Sequence, residues 1–468
     1  MYSVGKVLLI IAGTFIGIGT AFGLDKSNGN NQTADKPLTQ QEMAEQRLLF
    51  AEQLNTLVQQ QDWDKALALF DTLTDDEKKQ PAMQNLKVAI LISQGNIAQA
   101  ENLAKQLETK NPRNIDILHT LSMIAQAKND TKMRAAYLKK ILAIDKDNIQ
   151  ALYEQGVDLY AQSNYKGAES MFLRILKNNP HHIESLIWLG KLYYLEKKLT
   201  EAEKCYLTAL EDEADNSHAI AELARIYSET DRMAEAIKKI TQAIALQPDS
   251  GHHWSDLGLY NAQIGRQQEA IDAFLKAAEL LPDSHFVRIY LAGLHDDLGD
   301  KEAAIKYYRE VIRLYPQYYF AYEGLGVLLY ERKDWAGARA AFINALSYAP
   351  ENSSYALMIP LCSYKQGKKA EAKKFMEQYI KTINREKNGL DYFLCRLFID
   401  FTGDADVQQR LNKEKSETVK FRKSFYLAAF YQLTGKWTVA ERYYIDIQAA
   451  AVPSFFEYRL AVHELSNH

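Results

Sequence analysis

The chain has 468 residues, too many for one ordinary hydrophobic core, so its length predicts several domains or a repeat array. The net charge is only −4, which gives no electrostatic reason to expect nucleic acid as a partner. The three cysteines form no CxxC pair, and 22 Gly with 10 Pro are few for a β-rich protein. These numbers favour a soluble helical protein without a metal or disulfide framework.

The N-terminus begins with an uncharged apolar run. Val7–Leu24 carries no charge over 18 positions, which is near the shortest length that spans a membrane as a helix. Ala21 and Gly23 also fit a signal-peptidase site. We therefore interpret residues 1–24 either as a retained membrane anchor or as a cleaved signal. Residues 25–46 are polar and are predicted to be a flexible linker.

A period of 34 residues organises the rest of the chain. Twelve consecutive blocks start at Arg47 and follow one another without an insertion. Alanine stands at position 20 in ten of the twelve blocks, and six of the ten prolines fall at position 32, so the period is not an accident of composition. The block that begins at Gly251 shows the pattern in full: Trp254, Leu257, Gly258, Asn261, Ala270, Phe274, Ala277 and Pro282.

This pattern resembles the tetratricopeptide (TPR) signature, with Asn261 in place of its tyrosine. The resemblance implies an all-α fold, a right-handed α-solenoid of about twelve TPR-type helix pairs with a C-terminal capping helix. Small residues at positions 8 and 20 allow the two helices of a pair to approach closely. Proline at position 32 ends the second helix of each pair.

The pattern weakens towards the C-terminus, so we separate a TPR solenoid at 47–386 from degenerate pairs and a cap at 387–468. Pro360 lies inside a first helix and predicts a kink there. The polar stretch Gln408–Lys420 predicts a short second helix in the eleventh block. A last helix over Ser454–Leu465 is predicted to cap the end of the array.

The last repeat and the cap resemble the end of certain bacterial periplasmic TPR lipoproteins. Those proteins are adaptors that dock peptidoglycan hydrolases and an envelope protease. The resemblance covers roughly a tenth of the chain, which lacks their lipidated cysteine. It implies a bacterial inner-membrane protein that faces the periplasm, or a periplasmic one if the N-terminal segment is cleaved. The residues that carry it are Phe455, Glu457, Arg459, Ala461 and Glu464-Leu465-Ser466.

No motif for catalysis, cofactor binding or metal binding stands out in the sequence. His463 and His468 are one residue too far apart for the HExxH zinc signature. Gly17, Gly19 and Gly23 likewise miss the GxGxxG dinucleotide spacing by one residue. We therefore predict a protein that is not an enzyme, with no cofactor and no metal.

The sequence favours a membrane-tethered or exported scaffold that recruits partner proteins at the cell envelope. The alternative is a cytosol-facing, membrane-anchored TPR receptor or assembly factor. Receptors for chaperones clamp a carboxylate with Lys and Asn at positions 5 and 9 of the first helices, and that combination is absent here. The predicted partners are proteins or peptides in the concave groove, and the membrane through the N-terminal segment.

In TPR proteins, positions 2, 5, 9 and 12 of the first helices point into the concave groove. The resemblance therefore predicts a groove that is basic and aromatic in its middle and acidic further along, where Asp296 and Glu331 also lie. Tyrosine and arginine commonly carry binding energy at protein interfaces. The candidate groove residues are Tyr153, Tyr160, Lys191, Tyr194, His218, Arg225, His252, Glu323 and Tyr330.

Overall fold

The computed structural model describes residues 40–451 and 455–468, with side chains from residue 47 onwards. Within these ranges the chain forms 26 α-helices, two short 3-10 helices and no strand, as the all-α prediction requires. The predicted anchor or signal, residues 1–24, lies outside the described residues. The linker prediction is wrong at its end, because residues 40–46 belong to the first helix. No helix in the described part of the chain is long and apolar enough to cross a membrane.

Contacts divide the chain into a first unit that ends at Ala214 and a second unit that runs from Asp215 to His468. The division predicted between residues 386 and 387 falls inside the second unit and stays a prediction. The helices of the first unit are α1 Gln40–Gln59, α2 Trp63–Ala68, α3 Asp75–Lys78, α4 Pro81–Ser93, α5 Ile97–Lys110, α6 Ile115–Ala127, α7 Thr131–Ile144, α8 Ile149–Ala161, α9 Tyr165–Asn178, α10 Ile183–Leu195 and α11 Leu199–Asp212.

The second unit continues the same alternation of first and second helices. Its helices are α12 Ser217–Glu229, α13 Met233–Leu246, α14 Gly251–Gln263, α15 Gln267–Leu280, α16 His285–Asp297, α17 Lys301–Leu314, α18 Tyr319–Glu331, α19 Trp335–Tyr348, α20 Ser353–Lys365, α21 Lys369–Tyr379, α22 Gly389–Asp400, α23 Asp404–Lys413, α24 Glu417–Leu433, α25 Trp437–Ala449 and α26 Phe456–Ser466.

The first helices begin where the 34-residue frame places them. In the nine blocks from Pro81 to Ser353, each first helix starts at the first residue of its block. Side chains just before the helices fix several of these starts: Asn148 and Asn216 each accept a hydrogen bond from the backbone N–H three residues later. Such caps satisfy N–H groups that the first turn of a helix leaves without partners.

Glycine at position 8 makes room for an aromatic ring at position 24 of the same pair. A Cβ on Gly156 would lie 2.8 Å from the ring of Phe172, and one on Gly258 would lie 2.8 Å from the ring of Phe274. Both phenyl rings are fully buried. The close helix crossing predicted from small residues is therefore filled by a large ring that only glycine admits without a shift.

The degenerate end of the chain keeps its helices. α20 continues across Pro360, which is buried in its middle. α23 has 10 residues where the regular second helices have 14, so the prediction of a short helix is confirmed. Cys362 and Cys395 are free, buried thiols, and burial raises the pKa of each to about 12. The last helix, α26, packs on α24 and α25 and also reaches back to α18.

Candidate protein-binding surfaces

In the first unit, an aromatic cluster lies on the first helices α8 and α10. The Nε1–H of Trp188 donates a hydrogen bond of 3.0 Å to the hydroxyl of Tyr153. The ring of Tyr160 lies edge-on to Trp188, with 4.9 Å between the centroids. The Lys191 ammonium sits 5.3 Å from the Tyr160 ring and 5.0 Å from the Trp188 ring. The structure therefore brings together three of the predicted groove residues, Tyr153, Tyr160 and Lys191. Trp188, which was not predicted, contacts all three.

Tyr194, the fourth candidate of the first unit, is half-buried at the end of α10. The ammonium of Lys197 lies 5.3 Å from the centre of its ring. All four candidates of this unit thus keep part of their surface exposed while packing against neighbouring side chains. They can offer rings and a positive charge to a ligand without leaving their places.

In the second unit, His218, Arg225 and His252 are exposed on α12 and α14. Arg225 also makes an ion pair with Glu222, with 3.2 Å between Nη1 and Oε2. The carboxylate of Glu222 is largely buried, so it fixes the position of the guanidinium. The three predicted residues therefore present positive or titratable groups on this part of the second unit.

An open cleft of about 480 Å³ begins at His252, where α14 meets the start of α16. Asp256 and Ser255 line one wall, and Phe286, whose side chain is 44% exposed, lines the other. Burial raises the pKa of Asp256 to about 6, although the charges of Arg225 and His252 act to lower it. The cleft thus combines a carboxylate that titrates near neutrality with an exposed phenyl ring. Sequence reasoning missed Asp256 and Phe286, which occupy positions 6 and 2 of their blocks.

The predicted acidic end of the groove is occupied by α26. Arg459 lies between two carboxylates, with hydrogen bonds of 2.6 and 2.9 Å to Asp296 and of 2.6 and 2.9 Å to Glu331. Burial alone would lower the pKa of Arg459, but its hydrogen bonds with Glu331 and Asp296 raise it well above its ordinary value. Lys301 adds a second ion pair of 2.7 Å to Glu331.

A second charged contact lies one and a half turns further along α26. The Glu464 carboxylate accepts hydrogen bonds from Lys365 at 2.6 Å, from Gln432 at 2.6 Å and from the Tyr330 hydroxyl at 2.7 Å. Burial alone would raise the pKa of Glu464, but the charge of Lys365 and these hydrogen bonds hold it below its ordinary value. Three donors from α18, α20 and α24 thus share one acceptor on α26, and the four side chains form a largely buried polar cluster.

The start of α26 contacts the first helices α20 and α24 and also the second helix α19. Glu457 is fully buried and accepts a hydrogen bond of 2.9 Å from the Tyr426 hydroxyl, with Arg422 3.6 Å away. Phe456 packs its ring against Tyr355 and Phe342, with centroids 6.2 and 5.7 Å apart. α26 therefore follows the inner side of several repeats.

Two predicted groove residues do not line an open groove. Tyr330 is fully buried under α26, so the prediction that it is presented to an external ligand is wrong. Glu323 is half-buried and accepts a hydrogen bond of 2.5 Å from Tyr355, and burial raises its pKa. Asp296 and Tyr330 both contact α26. What the prediction missed is that the chain covers them itself.

The described residues contain no group of three or more His, Cys, Asp or Glu side chains that could hold a metal ion.

The family model of the tetratricopeptide repeat matches residues 52–115, 153–218, 222–285, 291–346 and 324–384, which is well over half of the chain. The chain belongs to the tetratricopeptide repeat family. As a TPR protein it is a repeat scaffold for protein–protein interaction. No curated relative matches the sequence.

Several solved structures of low sequence identity are similar to part of this chain. The type IV pilus biogenesis factor PilW is 18% identical, with a TM-score of 0.41 over 46% of this chain and 98% of its own. The C-terminal part of a TPR protein from Cytophaga hutchinsonii is 14% identical, with a TM-score of 0.42 over 52% and 99%. MamA from Desulfovibrio magneticus is 20% identical, with a TM-score of 0.34 over 36% and 94%.

Proposed function

We propose that this TPR protein is a non-catalytic adaptor that recruits partner proteins at the cell envelope, with its N-terminal apolar segment as membrane anchor or export signal. The observation that carries the proposal is the cleft at His252, in which exposed aromatic and charged side chains converge on one open surface. A half-exposed phenyl ring beside a half-buried carboxylate matches the usual design of a peptide site, an apolar contact with one polar anchor.

The chemistry of the cleft suggests what a bound segment looks like. Phe286 offers a face for an apolar or aromatic side chain, and Asp256 can accept a hydrogen bond from a basic side chain or a backbone amide. His252, exposed at the same cleft, can donate a hydrogen bond to a carboxylate close by. A short segment with an apolar residue between a base and an acid would use all of these groups.

The envelope location is supported by Val7–Leu24, whose 18 uncharged residues suit membrane insertion or export. The alternative, a membrane receptor or assembly factor that faces the cytosol, uses the same repeats on the other side of the membrane. Protease accessibility of the repeats in intact cells and in inverted vesicles separates the two. Digestion from the cytosolic side alone would contradict the envelope proposal.

The test of recruitment is crosslinking in intact cells followed by purification of the full-length chain. We expect the variant His252→Ala with Phe286→Ala to lose the specific crosslinked partners that the unmodified chain recovers. Leu275→Ala is the matched control, since it removes an exposed apolar side chain from the second helix α15. If the cleft variant and the control recover the same partners, the cleft is not the recruiting site.

A further inference from the structure

The position of α26 differs from that of a simple end cap. A cap needs to cover only the exposed side of the last pair, α24 and α25, because the stacked repeats bury the rest of the core themselves. α26 instead reaches back to Asp296 in α16, which lies 163 residues before Arg459. Along the way it contacts Glu331 at the end of α18 and Lys365 at the end of α20.

The polar contacts of α26 towards its C-terminal end fall at two adjacent repeat positions. Asp296, Tyr330 and Gln432 each occupy position 12 of their blocks, and Glu331 and Lys365 occupy position 13. Two adjacent positions on four first helices, α16, α18, α20 and α24, therefore hold a single helix. A helix that lies across the first helices of several repeats is arranged as a bound helix would be in the groove of a repeat protein.

The inward face of α26 is also unlike that of a core helix. Its buried positions are Glu457, Leu460, Ala461 and Glu464, so half of them are carboxylates. The buried positions of the repeat helix α19 are Ala338, Ala341, Phe342 and Ala345, all apolar. Buried ion pairs add little net stability compared with apolar packing, although they fix which partner fits and in which register. The buried charges of α26 therefore define its register on the repeats more than they add to the stability of the fold.

We propose that the inner surface of α16, α18, α20 and α24 is a binding site for an amphipathic helix of a partner protein, and that α26 is an internal competitor which this helix displaces. The fit is defined by charge: a guanidinium enters between Asp296 and Glu331, and a carboxylate five residues later meets Lys365. Two small or aliphatic residues directly after the arginine, as Leu460 and Ala461 here, fill the space between the two charged contacts.

This inference deepens the proposed function, because it names the class of segment that one surface recruits. Only six residues separate α25 from α26, so the tethered helix competes at an effective concentration on the order of millimolar. A partner helix with the same groups binds only to the fraction of chains whose α26 has left. Weakening α26 should therefore tighten the binding of an added helix.

The experiment uses the full-length chain and a fluorescein-labelled peptide of residues 455–468. Arg459→Glu in the chain places a carboxylate between Asp296 and Glu331 and weakens its own helix. Because the competitor is then mostly displaced, we expect this variant to bind the unmodified peptide at least about tenfold more tightly than the wild-type chain does. Arg313→Glu, an exposed arginine on α17, is the matched control and should bind as the wild type does.

A peptide that itself carries Arg459→Glu should bind neither chain. Equal affinity of the wild-type and Arg459→Glu chains for the unmodified peptide would overturn the proposal. So would a stable dimer of the wild-type chain in light scattering, since the occupant would then be a second copy. A failure here leaves the recruitment test at His252 and Phe286 untouched, because that cleft does not include α26.

A second measurement covers the case in which Arg459→Glu does not fold. In the wild-type chain, amide hydrogen exchange over Phe456–Ser466 should be at least about tenfold faster than over Tyr319–Glu331, after correction for intrinsic rates. Protection of α26 equal to that of α18 would mean that the last helix opens only with global unfolding. It would then be a fixed part of the core and not a competitor.

Discussion

Tyr160 in α8 and Tyr330 in α18 occupy the same twelfth position of their repeats, and they have opposite surroundings. Tyr160 is half-buried, and its ring contacts the Trp188 ring, with the Lys191 ammonium 5.3 Å from its centre. Tyr330 is fully buried, and its hydroxyl donates to the Glu464 carboxylate. Repeat position sets the direction in which a side chain points, whereas its role depends on what lies over it.

A similar contrast between exposed side chains and side chains that the chain itself covers is present within the second unit. At the cleft, His252 and Phe286 are exposed, and Asp256 meets no opposite charge closely enough to keep its pKa low. Under α26, Asp296 and Glu331 are paired with Arg459 on both sides. One part of the repeat surface therefore leaves aromatic and polar side chains exposed, whereas the charges of the other are paired with the chain's own last helix.

The largest effect is expected from Glu464→Ala. It leaves Lys365, Gln432 and the Tyr330 hydroxyl without their shared acceptor in a buried site, and losing one member of such a cluster costs about 3–5 kcal/mol. Urea unfolding of the full-length chain measures the loss. Glu269→Ala, at an exposed glutamate of α15, should change the unfolding free energy little. Equal effects of the two variants would show that α26 does not cover the inner surface.

Removing only the hydroxyl at position 12 gives a smaller and more specific effect. Tyr330→Phe deletes a hydrogen bond to a charged carboxylate, which is worth about 1.5–3 kcal/mol. Tyr348→Phe, at an exposed tyrosine of α19, should cost less than about 0.5 kcal/mol. The two variants make the same chemical change at a covered ring and at an exposed ring, so equal losses in urea unfolding would remove the distinction between them.

Acid should loosen α26 before it loosens the repeats. Burial acts to raise the pKa of Glu331 and Glu464, but their hydrogen bonds and cations hold both below the ordinary value. Carboxylates with lowered pKa stabilise the folded state above their unfolded pKa of about 4.3, and this contribution disappears as the pH falls through the folded pKa. We expect hydrogen-exchange protection of Phe456–Ser466, corrected for intrinsic rates, to fall steeply below about pH 4. Burial also lowers the pKa of His463 on the same helix, so a smaller loss should begin below its ordinary value of about 6.5. Protection that stays constant as the pH falls below 4 would contradict these ion pairs.

The smallest effect on stability is expected from the double variant His218→Ala with His252→Ala. Both side chains are exposed, so the combined cost should be about 1 kcal/mol or less. The crosslinked partners should nevertheless be lost, because both side chains belong to the predicted binding surface of the second unit. A sharply lower thermal midpoint would assign these side chains to the packing of the repeats, and unchanged partners would place recruitment elsewhere.

The sequence predicted the fold almost completely, because a repeat is set by local patterns. The starts of the first helices follow from the period, and Gly156 and Phe172 show how two residues of one block make a pair pack. The cover over Tyr330 was not predicted, since it joins residues 134 positions apart. One signal was visible in the last helix: Glu457, Leu460, Ala461 and Glu464 share a helical face, and its two carboxylates do not suit a plain cap.

The cleft at Asp256 escaped prediction for a different reason. Position 6 is not among the positions taken to face the groove, and neither the burial of its carboxylate nor the nearness of Phe286 can be read from spacing. Both depend on how α14 and the start of α16 meet. Periodicity thus predicts which side of a helix is buried, but not which polar groups end up together on its edge.

The most direct test of the covered surface is a double-mutant cycle between Arg459 and Asp296. Arg459→Ala, Asp296→Ala and the double variant are compared with the wild type in urea unfolding of the full-length chain. The 2.6 and 2.9 Å contacts between these side chains predict a coupling free energy of about 1–3 kcal/mol. A parallel cycle of Arg459 with Asp283, a residue of the cleft, should be additive. Additivity in the Arg459–Asp296 cycle as well would contradict the claim that α26 lies across the inner surface.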